Sequence, residues 1–402
     1  MYESGLSGKL WPAHIKPQSD ELLSSWLVRL AAAHSLKLHT FCTLAWSRDK
    51  QIWNRDIDKC ADESMLDLLV EKTGTPRDVV IHTTLAAYQG WLYERHNPYG
   101  NTQWIMPVGV YHRTRKHFGL QFCPRCLAED VEPYYRRSWR LAFVSFCEVH
   151  HISLFDRCPK CGAANNFHRN ELGHRRKWIT ESITLCHACQ YDLRNASGIT
   201  VEQISLSRVL DFQKSLTKTI KQGWIDVVGY GAVYSHLYFK VLHQLMKVCA
   251  TGRGAMALCQ AVRSELGIET LKSELQGRER DIERLHIDAR RNILDMARYM
   301  LDEWPHRFIY LCYSHKVWST TLLRDFSQAP FWYWSVIHDH LYRISYTPSD
   351  QEIHSAIEHL NRRGIPLSKK YISRCLGTNN DVFRKRKSKT LFSYAFNLNR
   401  II

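Results

Sequence analysis

Four short pairs of potential metal ligands occupy the middle of the sequence: Cys123-Pro-Arg-Cys126, Cys147-Glu-Val-His150, Cys158-Pro-Lys-Cys161 and Cys186-His-Ala-Cys189. Two residues separate the ligand candidates within each pair, which is the spacing of a zinc knuckle. Loops of 20 and 24 residues lie between the first and second pairs and between the third and fourth. Because tetrahedral zinc takes four sulfur or nitrogen ligands, two such pairs can converge on one ion.

Sequential pairing is the simplest arrangement of these ligands. It predicts one site of Cys123, Cys126, Cys147 and His150, and a second site of Cys158, Cys161, Cys186 and Cys189. Both sites are closed to water, so we expect two structural zinc ions that fold this segment. Disulfides are the alternative, and they would require an oxidising compartment. His151 is an alternative fourth ligand of the first site, and His187 is a further histidine beside the second.

The composition indicates a globular protein of several domains. The chain has 402 residues, 45% of them hydrophobic and 12% aromatic, enough for about two to four domains. No run resembles a signal peptide or reaches the roughly 18 apolar residues that cross a bilayer, so we expect a cytoplasmic protein without membrane contact. Thiols stay reduced there, and the remaining cysteines are expected to be buried apolar residues: Cys42, Cys60, Cys249, Cys259, Cys312 and Cys375.

The net charge of +16 favours a polyanionic partner, and nucleic acid is the commonest polyanion in a cell. Residues 352–402 hold 11 Lys and Arg against 3 Asp and Glu, which is half of the excess, whereas residues 1–110 hold 11 against 12. DNA contact is therefore expected near the carboxyl terminus. A basic tail that only aids solubility is the alternative.

A helix is predicted over residues 19–34. Ser19 is a potential cap, with two acids after it, and the apolar residues recur at helical spacing: Leu22, Leu23, Trp26, Leu27 and Leu30. Shorter helices are predicted over 40–46 and 63–72 and after Pro76. Such helices suit a helix-turn-helix domain, whose near-zero charge favours docking on protein over a phosphate backbone.

Two segments interleave basic and aromatic residues. They carry Arg113, Arg115 and Lys116 in the first, and Arg136, Arg137 and Arg140 in the second. Each could be a nucleic-acid or partner surface. The second, 134–140, could equally be an apolar wedge whose arginines reach outward to solvent.

Further helices are predicted over 201–216, 234–248 and 281–301. The last alternates acids, arginines and apolar residues, so we expect a solvated helix with one packed face. The aromatic cluster Phe331–Trp334 is expected to be core or an interdomain seam rather than a base-stacking platform.

The carboxyl-terminal region has the pattern of a second helix-turn-helix. One helix is predicted from Pro348 to about Arg363, and another from Ser368 to Gly377. The second helix would turn Ile372 and Leu376 inward and offer its polar face to a major groove, with further basic residues gripping phosphates. The predicted DNA contacts are Lys369, Lys370, Ser373, Arg374, Arg384, Lys385, Arg386 and Lys387.

Several of these segments resemble the TniQ/TnsD family of transposon target-selection proteins: Ser19–Leu30, Phe122–Asp130, Trp139–Ala142 and Cys147–Cys161. The resemblance covers roughly residues 10–190. It implies an amino-terminal helix-turn-helix domain followed by tandem zinc-binding motifs, in a bacterial, nucleoid-associated protein. It also implies a non-enzymatic adaptor that recruits the AAA+ ATPase TnsC to a chosen DNA site. Some relatives read DNA directly, and others bind an RNA-guided CRISPR Cascade complex, commonly as a homodimer.

We therefore expect a mainly α, multidomain protein. The predicted divisions are a helix-turn-helix domain over 1–110, a tandem zinc-ribbon or zinc-finger domain over 111–198, a helical domain over 199–347 and a basic helix-turn-helix with tail over 348–402. A free-standing zinc-ribbon transcription regulator is the competing function. An enzyme is disfavoured because the sequence has no phosphate-binding loop, no His-Glu-x-x-His and no open zinc site.

Overall fold

The structure is a computed structural model that describes residues 6–47, 50, 52–108, 117–170, 183–198, 200–201, 204–269, 281–342 and 346–378. Within these ranges the chain is mainly helical with one small sheet, as the sequence predicts. Two compact units are present, residues 1–341 and residues 342–402. No helix among the described residues is long and apolar enough to cross a bilayer.

Five helices form the amino-terminal part of the first unit: α1 Leu23–Ala33, α2 Leu38–Trp46, α3 Ile57–Cys60, α4 Glu63–Thr73 and α5 Arg77–Ile81. The apolar stripe predicted for α1 is confirmed, since every residue from Leu23 to Ala31 is buried. The predicted ending of α4 is also confirmed, because Gly74 follows it in the left-handed conformation at φ 60°, which glycine adopts without steric cost.

The predicted cap of α1 is wrong. Leu22 occupies the capping position and offers no side-chain hydrogen bond. Glu21 instead turns inward, where its carboxylate accepts hydrogen bonds from Ser25 Oγ at 2.8 Å and Arg29 Nη1 at 2.7 Å. A buried ion pair replaces the expected helix-dipole interaction.

The cysteine-rich part of the first unit has little regular structure among its described residues. It contains one short helix, α6 Pro124–Glu129, and several 3-10 turns. Isolated antiparallel bridges hold its loops, including Phe122 with Phe155 and Phe146 with Ser153.

The rest of the first unit is helical around one hairpin. Its elements are α7 Ile204–Gln222, β1 Trp224–Val227, β2 Gly231–Tyr234, α8 Ser235–Thr251, α9 Met256–Leu266, α10 Ile287–Leu301, α11 His306–Ser314, α12 Ser319–Leu322 and α13 Phe331–His340. The hairpin strands are antiparallel, with Trp224 opposite Tyr234. The sequence predicts α7, α8 and α10 but neither the hairpin nor α9 and α11 to α13.

Helix α10 is not the solvated helix that its charges suggest. Ten of its 15 residues are buried, including Arg290, Arg291 and Asp295. It packs against α7, α8, α9 and α11, so it lies in the interior of this helical region. The aromatic cluster at the start of α13 is divided: Trp332 and Tyr333 are core, whereas Phe331 and Trp334 are exposed.

The second unit contains α14 Asp350–Arg362 and α15 Lys369–Cys375, close to the two predicted helices. Ser349 and Glu352 form a reciprocal capping box at the start of α14, and Ser368 caps α15. The core of this unit is formed by apolar residues from both helices: Ile353, Leu360 and Ile372.

The cysteines outside the four pairs are mostly buried, as predicted: Cys42, Cys249, Cys259 and Cys312. The prediction is wrong for Cys375, which is exposed, and Cys60 is half-buried. Cys375 is the last residue of α15, and the buried side of that helix is occupied by Ile372.

Candidate metal centres

The structure brings the four cysteine pairs together in two clusters. One cluster comprises Cys123, Cys126, Cys147 and His150, and the other Cys158, Cys161, Cys186 and Cys189. Within each cluster the potential ligand atoms lie within 4.8 Å of one another. These are the two sequential sets expected from the sequence, and each could hold a metal ion.

The distances in the first cluster fit a tetrahedral ion. His150 Nδ1 lies 3.5, 3.3 and 3.4 Å from the sulfur atoms of Cys123, Cys126 and Cys147, and Cys126 Sγ lies 3.5 Å from Cys147 Sγ. Zinc–sulfur bonds of about 2.3 Å at tetrahedral angles place two sulfur atoms about 3.8 Å apart. The donors therefore surround a space of the size that zinc requires.

The second cluster has the same dimensions. Cys158 Sγ lies 3.7 Å from Cys189 Sγ, and Cys161 Sγ lies 3.7 Å from Cys186 Sγ. A disulfide would bring two sulfur atoms to about 2.05 Å, and all four cysteines are free. Because four sulfur donors select soft or borderline metals, the chemistry of this cluster suits zinc.

The local turns explain why the knuckles form. Cys123 Sγ accepts a hydrogen bond from the backbone N–H of Cys126, and Cys147 Sγ accepts one from that of His150, both at 3.4 Å. Pro124 begins α6 directly after the first ligand, where its missing N–H costs nothing. Backbone N–H groups aimed at sulfur favour the thiolate form that a metal needs.

The thiols cannot all ionise without a cation. Hydrogen bonds with Cys123 and Cys147 raise the pKa of the Cys126 thiol, and burial raises the pKa of Cys186 to about 12. Several thiolates at this separation repel one another unless a positive ion lies between them. Each cluster is therefore a set of donors that could hold a metal ion.

Glu129, which no sequence motif indicated, contacts the one histidine of the first cluster. His150 Nε2 donates to the Glu129 carboxylate at 2.7 Å, and this hydrogen bond lowers the pKa of Glu129. A carboxylate on the far nitrogen of a ligating histidine fixes the tautomer and the ring orientation. The sequence feature that could have indicated this role is the position of Glu129 three residues after Cys126, one helical turn further along α6.

The other two histidines do not join the clusters. His151 Nε2 lies 3.1 Å from Lys214 Nζ, so its ring faces α7 and His150 supplies the fourth donor. His187 is half-buried, and neither His187 nor His151 belongs to a ligand set among the described residues.

The first cluster is attached to the helical region by hydrogen bonds. Gln213 Oε1 accepts from the backbone N–H groups of Ser145 at 2.8 Å and Phe146 at 3.0 Å. Thr217 Oγ1 donates to Glu148 at 2.7 Å, and Glu148 lies between Cys147 and His150. Gln213 is fully buried, so α7 holds the backbone of the second knuckle directly.

Arg140 is not a surface residue, contrary to the sequence prediction. Its side chain is fully buried and forms ion pairs with Asp56 at 2.5 Å and Asp58 at 3.1 Å. Tyr135 and Trp139 beside it are also buried. The 134–140 segment therefore packs inward as the wedge alternative predicts, but Arg140 does not reach outward to solvent as that alternative also predicts, because two carboxylates from the helical part hold its guanidinium inside.

Arg136 and Arg137 are half-buried and paired within the chain. Both Nη atoms of Arg136 donate to Asp130 at 2.7 Å, and Arg137 Nε donates to Asp20 at 3.3 Å. Both arginines therefore form ion pairs within the chain, and that of Arg137 joins two distant segments. The other three basic residues of this prediction lie outside the described residues: Arg113, Arg115 and Lys116.

The predicted DNA contacts on α15 differ in their exposure to solvent. Lys369, Lys370 and Arg374 are exposed. Ser373 is not on the predicted outer face, because it is 3% exposed and follows the core residue Ile372 on the inner side of α15. The remaining predicted contacts lie outside the described residues: Arg384, Lys385, Arg386 and Lys387.

Residues 12–154 match the TniQ family. This stretch of the chain therefore carries a TniQ domain, which confirms the resemblance found in the sequence. The match includes the first metal cluster and ends before the second. No curated protein matches the chain.

Proposed function

We propose that this chain, with its TniQ domain over residues 12–154, is a non-enzymatic adaptor that selects the target site of a transposon. It recognises DNA and recruits the AAA+ ATPase TnsC to that site. The observation that carries the proposal is the TniQ match itself, which contains a complete four-donor metal cluster.

Two structural zinc ions are part of the proposal. Both clusters have four protein donors at tetrahedral separations, which leaves no coordination position for a substrate or an attacking water. Bound zinc would hold the knuckles in place and contribute folding energy. The chain would then act as a scaffold, with no chemical step at the metals.

DNA recognition is assigned to the second unit. The three cations of α15 are exposed, and the helix is short and follows a turn at Gly364, as a groove-reading helix does. Residues 352–402 hold half of the net positive charge. Exposed cations beside phosphates release counterions, which makes such binding strong and dependent on salt.

The amino-terminal part is assigned to protein contact. Residues 1–110 hold 11 basic and 12 acidic residues, so they offer no electrostatic attraction to DNA. We assign TnsC binding to this part together with the zinc-binding segment, in a cytoplasmic protein with domain divisions near residues 110, 198 and 347. A chain that instead bound a Cascade complex with its guide RNA would require that complex for site selection.

The DNA assignment is tested by charge reversal on α15. Lys369→Glu, Lys370→Glu and Arg374→Glu are combined, and retention of the target DNA is measured by gel shift with competitor DNA at two salt concentrations. We expect affinity to fall by roughly 100-fold or more and the salt dependence to become shallower.

The matched control reverses three exposed cations on α7: Arg208→Glu, Lys218→Glu and Lys221→Glu. It changes the net charge equally and should retain most of the affinity. Equal losses in both variants, or undiminished retention in the first, would remove the recognition role from α15. Retention that appears only when a guide RNA complex is added would favour the Cascade-bound alternative.

A further inference from the structure

Three exposed side chains of different chemistry share one side of α15. Ile372 is 2% exposed and Leu376 packs against the same core, so these two residues mark the inner side of the helix. With 3.6 residues per turn, Lys370, Tyr371 and Arg374 lie on the opposite side, and all three are exposed. We call Lys370, Tyr371 and Arg374 the reading face of α15.

Tyr371 is the large aromatic residue of the reading face. Its side chain is 41% exposed, and it belongs neither to the core of the second unit nor to the apolar residues packed against that core within the described part of the chain. Its backbone N–H donates to Ser368 Oγ at 3.2 Å, so the backbone at Tyr371 is held by the helix cap. The ring is therefore presented on a fixed backbone without completing the core.

The reading face is cationic. Residues 346–378 hold 5 Lys and Arg against 3 Asp and Glu, and α15 itself contains no acid. The three acids lie on α14: Asp350, Glu352 and Glu358. Glu352 completes the capping box with Ser349, and Glu358 lies 3.7 Å from Arg362. Lys370 and Arg374 therefore face solvent as cations, which favours an anionic partner.

The spacing along the reading face fits the base pairs of one major groove. Side chains three residues apart on a helix have β-carbons about 5–6 Å apart, and successive base pairs rise about 3.4 Å. Tyr371 and Arg374 can therefore reach base pairs one or two steps apart. Guanine offers two acceptors that a guanidinium binds together, and thymine offers a methyl group for apolar contact.

We infer that Arg374 reads a guanine and that Tyr371 reads the methyl group of a thymine one or two base pairs away, with Lys370 near the phosphate backbone. The inference rests on the DNA recognition proposed above for α15. It adds the class of site that this helix distinguishes, which is duplex DNA with guanine and thymine at this spacing. Tyr371 is then a specificity-determining residue that the charge of the helix does not indicate.

The test begins with the selection of a binding site. The full-length, zinc-loaded protein enriches duplexes from a random library of about 20 base pairs, and its affinity for the most enriched duplex is measured by fluorescence anisotropy. Each thymine of that duplex is then replaced singly by deoxyuracil, which lacks only the methyl group. Each G·C pair is replaced singly by A·T.

The thymine contact is tested with Tyr371→Ala. Burial of one methyl group contributes about fourfold in affinity, so deoxyuracil at one position should weaken binding by the parent by about that factor. The same replacement should cost Tyr371→Ala less than about 1.5-fold, because the ring is absent. Tyr371→Phe keeps the ring and should show the same loss as the parent.

The guanine contact is tested with Arg374→Ala. A bidentate arginine–guanine pair discriminates against the wrong base by roughly 5- to 150-fold, so one A·T replacement should cost the parent at least about fivefold. This loss should fall below about twofold in Arg374→Ala. Arg363→Ala is the matched control, since Arg363 is exposed at the end of α14. It removes the same charge and should keep the parent's loss.

Failure of this inference is distinguishable from failure of the proposed function. An enriched duplex whose thymine or guanine dependence persists in the corresponding alanine variant would overturn the inference alone and leave α15 as a phosphate-binding helix. The inference is also wrong if deoxyuracil costs the parent nothing at any position, or if Arg363→Ala removes the guanine dependence as well. A parent that enriches no sequence would overturn both the inference and the DNA recognition on which it rests.

Discussion

Thr217 Oγ1 donates a 2.7 Å hydrogen bond to the carboxylate of Glu148, and this contact joins the Cys147–His150 knuckle to the helix that begins the helical region. Glu148 lies between two donors of the first cluster, and Gln213, one turn before Thr217, binds the preceding backbone. The geometry of the first donor cluster and the position of α7 therefore depend on each other.

Cys147→Ser should remove one metal ion and destabilise the helical region as well as the knuckle. Loss of a structural metal is among the most destabilising effects of mutation and lowers the free energy of unfolding by about 4 kcal/mol or more. Native mass spectrometry should show one zinc per chain in place of two, and hydrogen exchange should show faster exchange in α7.

Cys375→Ser is the control for this variant, because Cys375 is exposed and outside both clusters. It should retain two zinc ions and the parent melting temperature. If Cys147→Ser leaves exchange in α7 unchanged, the proposed coupling between the first centre and this helix does not exist.

Glu129→Ala should weaken metal binding at the first centre only. Removing the carboxylate that orients a ligating histidine typically costs 10- to 100-fold in metal affinity. Chelator competition should release one zinc more readily and leave the second unchanged. Glu71→Ala removes a similarly exposed carboxylate and should behave as the parent does; equal metal affinity in both variants would contradict the role of Glu129.

Arg140→Ala should destabilise the fold by about 3–5 kcal/mol, because it leaves Asp56 and Asp58 partly or fully buried without their cation. Arg77→Ala removes a surface arginine that pairs with Glu63 and Asp67, and should cost less than about 1 kcal/mol. Urea unfolding measures both. Similar small losses would restore Arg140 to the surface role that the sequence suggested.

Acid should destabilise the parent more than a His168→Phe variant. Burial lowers the pKa of His168 to about 3, and its ring stacks on Trp53 at 5.2 Å. The folded pKa of His168 lies below the unfolded value of about 6.5, so folding favours the neutral ring. This contribution to the free energy of unfolding is complete above pH 6.5 and is lost as the pH falls towards the folded pKa.

Protonation of His168 should lower the free energy of unfolding of the parent by about 1.3 kcal/mol between pH 7.5 and pH 5.5. The phenylalanine variant keeps the ring stacking but has no group that titrates there. Urea unfolding of both proteins at the two pH values measures it, with zinc content checked at each. Equal acid losses in parent and variant would show that His168 is not the group responsible.

Local signals made the two donor clusters and many helix ends predictable from the sequence. A ligand pair with two intervening residues closes its own turn, so the grouping of Cys123 with Cys126 needed no tertiary information. Gly74, Ser349 and Ser368 likewise act on their own backbone neighbourhood.

Long-range partners explain what the sequence did not predict. Arg140 pairs with carboxylates 82 and 84 residues away, and Arg290 donates to the Ala142 carbonyl 148 residues away. From the sequence alone, an arginine in an alternating pattern resembles a surface residue, because its hydrogen-bond acceptors are known only from the folded structure. The β1–β2 hairpin was missed because its strands have only four residues each, too few for a clear periodicity.

Recruitment of the ATPase to DNA is the decisive test of the adaptor function. Purified TnsC and labelled target DNA are combined with the zinc-loaded chain at physiological salt, and the ATPase retained on the DNA is quantified with and without the chain. We predict site-dependent retention of TnsC only when the chain is present, and loss of that retention with the triple reversal on α15. A chain that binds the DNA yet leaves TnsC retention unchanged would contradict the adaptor function.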